Sequence, residues 1–247
     1  MKTNKRVNWV DGMLINKMHF KGMEDYLLST IYTTNRLLFS GGYGIIGNKL
    51  NHESDYPLIK LSVDSSDSTN QVIIIEQLEF LAVNPSGTLL DISNENFFYQ
   101  KGAVESSKPR VIVNVEDQKI SHGAPLYLVL LTQPYETQGV GQSNDKEEPL
   151  RFPFCSPISE LKCVSSNSDI ENIVGPNHFP IAKIKIINNR LEIDRNYLPP
   201  CYTVSSHYQL RNRSLNLMEG LLNITNNIDA FIQNNQDVSD KNTSFLK

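Results

Sequence analysis

Residues Gly42-Tyr43-Gly44-Ile45-Ile46-Gly47 match G-x-G-x-x-G letter for letter. That pattern cradles a pyrophosphate only when a strand precedes it and a helix follows, so that the phosphate sits on a helix N-terminus. Here a helical pattern precedes it, and the stretch 48–57 that follows is polar and ends in proline. The match therefore reads as a helix-to-strand turn. A P-loop fails too, because Asn48 stands where the lysine must follow the last glycine, and Leu50 follows Lys49 where a hydroxyl is needed. The five histidines, His19, His52, His122, His178 and His207, form no HxH, HExxH or HxxxH pair, so no metal spacing is visible. His52-Glu53 with Asp55 reads as a solvated polar run. Ser121-His122-Gly123 lacks the pattern of a nucleophile elbow. Cys155, Cys163 and Cys201 include no CxxC pair, which argues against a thiolate zinc site. Carboxylates are dispersed, so no general acid/base pair can be chosen. The expectation is no catalytic residue, no metal and no cofactor, with a composite site built from distant loops left open.

The aromatics Phe97-Phe98-Tyr99, Tyr127, Tyr135, Phe152 and Phe154 could stack on sugars or bases. Without basic residues between them the nucleic-acid version is poor, and packing in a core or a subunit interface is the default. The charge sum agrees: 23 basic against 27 acidic residues, net −4, is not the balance of a chain built for phosphate backbones. The 247 residues make one large domain or two small ones. Sparse cysteines fit a reducing compartment. The basic residues at the start are not followed by an apolar run, so no signal peptide is expected. The longest aliphatic runs, Val72–Ile75 and Leu128–Leu131, are far too short to span a bilayer.

The elements that position these residues follow from periodicity. Phe20, Met23, Leu27, Ile31 and Leu38, with Tyr26 and Leu37, recur at helical spacing, so residues 20–39 read as a helix stopped by Ser40-Gly41-Gly42. The period then changes to two: Ile59, Leu61 and Val63; Val111, Val113 and Val115; the apolar run Leu126–Leu131. Ile184 and Ile186, then Asn188-Asn189, then Leu191 and Ile193, read as a hairpin, because Asn tolerates the positive φ of a type I′ turn. With turns such as Asn84-Pro85-Ser86-Gly87, these strands predict an antiparallel sandwich or barrel. The stretches 62–70, 136–149 and 156–176 read as loops.

The C-terminus returns to helical period. Leu217, Leu221, Ile224, Ile228 and Phe231 are spaced 4, 3, 4, 3. That is a heptad seam with Leu221 and Ile228 at a and Leu217, Ile224 and Phe231 at d, a choice that favours trimers and tetramers over dimers. The alternative is an amphipathic helix packed on its own sandwich, which Leu215 and Leu222, off the seam, favour.

The opening segment, Val7-Asn8-Trp9-Val10-Asp11-Gly12-Met13-Leu14-Ile15-Asn16-Lys17-Met18-His19-Phe20 followed by Tyr26-Leu27, resembles that of the TssK family, trimeric baseplate subunits of bacterial type VI secretion systems. The family opening is roughly V-x-W-x-E-G-M-x-L-x-P-Q-H-F. Trp9, Gly12, Met13, His19 and Phe20 match; Asp11 replaces a glutamate, and Lys17-Met18 replaces Pro-Gln, the mark of a divergent branch. Tyr43-Gly44, Pro85-Ser86-Gly87-Thr88-Leu89 with Asp91-Ile92, Phe179-Pro180-Ile181-Ala182-Lys183-Ile184 and Tyr197-Leu198-Pro199-Pro200 resemble further family motifs in the same order.

The resemblance implies a mainly β chain with flanking helices. Its parts would be an N-terminal arm and helix (1–40), an antiparallel β-sandwich shoulder (41–207) and a trimerising neck helix (208–247). It implies a non-enzymatic, cytoplasmic homotrimer, peripheral at the inner face of the bacterial inner membrane. The trimer would bind TssF/TssG-like wedge proteins and reach the membrane complex through a head domain that this sequence does not contain. The wedge contacts would come from the arm, Trp9, Gly12, Met13, Leu14, Met18, His19 and Phe20. The trimer seam would be Leu217, Leu221, Ile224, Ile228 and Phe231. The rival readings are a phage-type receptor-binding or tail adaptor protein on the same sandwich, and a sandwich enzyme.

Overall fold

The computed structural model describes residues 4–39, 41–47, 59–67, 70–93, 110–114, 125–140, 152–166 and 170–244, with backbone alone for 114, 140 and 234–244. His52, His122, Val115 and Phe97-Phe98-Tyr99 lie outside the described residues. Helix α1 spans Lys17–Leu38. Ten strands follow: β1 Gly44–Gly47, β2 Ile59–Asp64, β3 Asn70–Leu78, β4 Phe80–Val83, β5 Leu89–Ile92, β6 Arg110–Asn114, β7 Leu126–Val140, β8 Phe154–Ser165, β9 His178–Ile187 and β10 Arg190–Ile193. A single turn, α2 (Ile170–Ile173), lies between β8 and β9, and the long α3 (Tyr208–Ser244) closes the chain. The class is mainly antiparallel β with flanking helices, as the alternating runs predict.

The strands form three sheets, ordered β1-β4-β5, β10-β9-β7-β8 and β2-β3-β6. Every strand pairing among the described residues is antiparallel. The four-stranded sheet and the β2-β3-β6 sheet meet at both edges, β10 beside β2 and β6 beside β8. Inward side chains alternate as the pleat requires: Ile73 and Ile75 on β3, Leu126, Leu128 and Leu130 on β7, Phe179, Ile181 and Ile184 around the shift in β9. With Ile45, Phe80, Ala82, Leu90 and Ile92 of the third sheet they make one apolar cluster. The Asn188-Asn189 turn joins β9 to β10 with φ of 52° and 60°, the type I′ geometry expected from the Asn pair.

One polar side chain sits in the inward column of β3. Gln71 is 1% exposed. Its Nε2 donates to the Asn189 carbonyl, and its Oε1 accepts from the Leu191 N–H at 2.8 Å and from Ser65 Oγ at 3.0 Å. It ties the β9–β10 hairpin to the opposite sheet. Gln71→Ala would leave a buried N–H and a carbonyl without partners, so it is expected to cost on the order of 2–3 kcal/mol, read as a lowered urea midpoint.

Three sequence expectations are corrected. Residues 156–165 form most of β8 rather than a loop, and 136–140 continue β7. The β8 residues alternate polar and apolar because one face packs Leu161 and Cys163 on the core while Glu160 and Lys162 face water, and Pro157 is tolerated because β8 is an edge strand of its sheet. Helix α1 starts at Lys17, not Phe20: Asn16 Oδ1 accepts from the Met18 N–H at 2.9 Å, and His19 Nδ1 accepts from the Asn16 N–H at 3.2 Å. This reciprocal cap puts Met18, His19 and Phe20 on the helix instead of the arm.

Candidate functional site

The segment before α1 folds back along the helix. Asn4 Nδ2 donates to the Asp25 carbonyl at 3.1 Å, Val7 lies over Gly22, and the Trp9 ring lies 6.2 Å from His19 and 6.4 Å from Phe20. A turn then reverses the chain, with Met13 N–H bonded to the Val10 carbonyl at 3.1 Å and Gly12 at φ +80°. Gly12 is thus the residue that makes the turn possible. Trp9, Leu14, Met18 and Phe20 are exposed and Met13 and His19 are not fully so.

The C-terminal half of α1 seats on the turn Asn84–Thr88. Asn84 Oδ1 accepts from Ser86 N, Ser86 Oγ and Thr88 N, and Asn35 Nδ2 donates to the Gly87 carbonyl at 3.1 Å. Tyr32 is the buried residue of the helix, its ring 6.0 Å from that of Tyr135. Burial, with Tyr135 and Glu24 nearby, raises the Tyr32 pKa. The apolar stripe read from the sequence lies on the other side: Phe20, Met23, Leu27, Ile31 and Leu38 are all exposed.

Helix α3 begins from a fixed root. Ile45 N–H bonds the Pro200 carbonyl and Tyr202 N–H bonds the Ile45 carbonyl, each at 2.8 Å. Ser206 Oγ donates to the Ile46 carbonyl at 2.7 Å, and Thr203 Oγ1 lies 3.4 Å from the same oxygen. The Phe39 ring at the end of α1 meets Tyr202 edge-on at 4.7 Å. Beyond this root every residue from 212 to 233 is exposed. Leu217, Leu221, Ile224, Ile228 and Phe231 are 70, 64, 56, 52 and 69% exposed. The alternative of a helix packed on its own sandwich therefore fails.

The groups that could do chemistry are engaged structurally. Burial pushes the Cys163 thiol up to about 12 and Cys201 up to about 11, which keeps both protonated and poorly nucleophilic at neutral pH. Tyr197 is raised by burial beside Tyr127, Tyr43 and Cys201. His178 Nε2 lies 2.9 Å from the Glu171 carbonyl. His207 Nδ1 accepts the Gln209 N–H at 3.3 Å, and burial lowers its pKa. Among the described residues no three His, Cys, Asp or Glu side chains converge on a metal-sized site. The G-x-G-x-x-G match is split between the turn after α1 and β1, so no helix N-terminus follows it within the described residues. No described helix is long and apolar enough to cross a membrane.

A β body with a helix at each end is the class these features define, and solved structures of similar fold include proteins of a secretion baseplate. The fold is TssK-like: the chain matches "Crystal structure of TssK" with a TM-score of 0.50 at 12% identity, covering 89% of this chain and 47% of that one. It is also similar to "The baseplate complex from the type VI secretion system", with a TM-score of 0.47 at 14% identity, covering 90% of this chain and 67% of that one. The chain spans about half the length of the TssK structure. No family model matches the sequence, and no curated protein does.

Proposed function

We propose that this chain is a structural, non-enzymatic baseplate subunit of a type VI secretion system, built on a shoulder (41–207) preceded by the arm and helix (1–40) and followed by a trimerising neck (208–247). The observation that carries the reading is the neck. A helix whose seam is exposed from Leu217 to Phe231 gains most of its stability from packing that it does not find among the described residues of its own chain. A homotrimer closed on that seam supplies it. The likeness in fold to TssK, and the family motifs spread along the sequence, support the choice of assembly.

In this reading Trp9, Gly12, Met13 and Leu14 of the arm, with Met18, His19 and Phe20 of the first turn of α1, face TssF/TssG-like wedge proteins. Membrane-complex contact would need a head domain outside this sequence, and the site of action is the cytoplasmic face of the inner membrane. No nucleic acid or cofactor takes part. Trp9 is the expected anchor, because large exposed aromatics dominate interface energetics. The test is co-purification of the chain with co-expressed TssF and TssG from the same cell. Trp9→Ala is expected to weaken that association at least tenfold (roughly 1.4 kcal/mol or more), with the fold unchanged by circular dichroism. Failure of the wild-type chain to associate would refute the reading.

A further inference from the structure

We propose that His207 is an acid-sensitive latch at the root of α3, holding the first turn of that helix only while its imidazole is neutral. His207 stands at the N-cap position. Its backbone is extended, with φ −139° and ψ 132°, and its carbonyl accepts from the Arg211 N–H at 3.0 Å, the first bond of the helix. The usual side chain at such a position is Ser, Thr, Asp or Asn, whose oxygen accepts from the second or third helical N–H. Here a ring nitrogen does so: His207 Nδ1 accepts from the Gln209 N–H at 3.3 Å. A hydroxyl or amide oxygen accepts at any pH near neutrality. An imidazole nitrogen accepts only when it carries no proton. Once Nδ1 is protonated, two N–H groups face each other, and either the ring leaves or the turn opens.

The surroundings hold the capped ring neutral. A helix N-terminus disfavours a cation, and partial burial lowers the pKa of His207. The Val204–Ser206 turn and β1, packed together at the root, carry no charged side chain. The strap 196–203 brings only Tyr197, Cys201 and Tyr202 as titratable groups, all neutral near pH 7. The helix itself adds the cations Arg211 and Arg213, and Arg195 stands where its carbonyl takes Gln209 Nε2 at 3.3 Å. Of the nearest carboxylates in sequence, Asp194 is bound to Lys185 at 3.0 Å, and Glu219 lies about three turns along α3. The Tyr208 ring, stacked on His207 at 4.8 Å, favours the cation, but a contact between chain neighbours does not need the cap. The capped state therefore binds fewer protons than the open one. Its stability is complete above the ordinary histidine value near 6.5, and it is lost as pH falls through that value toward the depressed one. The adjoining residue, Ser206, anchors the root to the Ile46 carbonyl, so an open cap frees α3 just beyond its anchor. This device does not depend on which assembly the chain serves.

The test is amide hydrogen exchange at Gln209 and Arg211 in the full 247-residue chain, corrected for the intrinsic effect of pH on exchange. Protection in the wild-type chain is expected to fall by about three- to tenfold between roughly pH 7.5 and 5.5, because each unit below the ordinary histidine value weights the protonated, open form by up to tenfold. His207→Asn keeps an acceptor at the cap and removes the proton, so its protection should change by less than about 1.5-fold over the same range. His207→Ala should lack the protection at both ends of it. An equal fall in the wild-type and Asn chains overturns the latch, as does wild-type behaviour in the Ala chain. His207→Ser repeats the comparison if the Asn chain does not fold. The imidazole resonance of His207, assigned by its loss in the variants, gives an independent reading: a titration midpoint at or above about 6.5 also overturns the proposal.

Discussion

Ile224→Asp with Ile228→Asp is expected to convert the chain from a species of three times 28.0 kDa to one of a single chain mass, measured by light scattering after size exclusion. Both residues are about half exposed in the single chain, so no packing among the described residues resists the change. In a trimer they occupy adjacent d and a layers. Two carboxylates from each of three chains would then enter one apolar core, where unpaired charge costs far more than the seam can return. The expected loss of affinity is several orders of magnitude, enough to abolish the trimer at micromolar concentration. Leu215→Asp with Leu222→Asp supplies the register control. Both are exposed, at 51 and 57%, and both lie off the seam, so the trimer should survive their change. A wild-type mass for the Ile224/Ile228 variant would exclude this seam, and loss of the trimer in the control alone would place the contact on another face of α3.

The C-terminal helix was legible because its 4, 3, 4, 3 apolar spacing does not depend on what surrounds it. The β9–β10 hairpin was legible for a similar reason: Asn188 and Asn189 carry their conformational preference locally. The helix stripe from Phe20 to Leu38 was legible as a period but not as a direction. An apolar stripe usually marks the face turned to a protein's own core, yet α1 rests on its body through Tyr32, Asn35 and the Gly87 turn. Those contacts depend on a turn some fifty residues away, which no local pattern announces. Strand β8 was hidden because only one of its faces packs on the core, so Glu160 and Lys162 face solvent, 3.2 Å apart, and its composition resembles that of a loop. Gln71 gave no signal at all. A lone glutamine in an apolar run acquires its role only when the Asn188-Asn189 turn arrives beside it.

The glycines of the G-x-G-x-x-G match supply the second large effect, and their order of sensitivity separates a structural joint from a phosphate loop. Gly44 has φ +126°, and a Cβ there would lie 2.3 Å from the Pro200 carbonyl oxygen and 2.5 Å from its carbon. Those atoms belong to the strap that roots α3, since Ile45 N–H bonds the Pro200 carbonyl. Neither backbone can move without breaking that bond. Gly44→Ala is therefore expected to destabilise the fold by about 3–6 kcal/mol, the combined cost of a strained dihedral and an overpacked contact. At Gly42 a Cβ would meet the Phe39 carbonyl at 3.0 Å and the Tyr202 ring at 3.2 Å, a tight fit that a small ring shift relieves in part. At Gly47 it would meet nothing within 4 Å among the described residues, and alanine there should change stability by less than about 0.5 kcal/mol. Urea unfolding of the three variants should thus rank Gly44 far above Gly42, and Gly42 above Gly47. A loop that wraps a pyrophosphate would need all three small for close backbone approach and tight packing, so comparable damage at Gly47 would contradict the joint. With Gly44 changed, the root of the neck loosens from β1, and the same variant should also weaken the trimer, because three seams can meet only if each neck leaves its shoulder in a fixed direction.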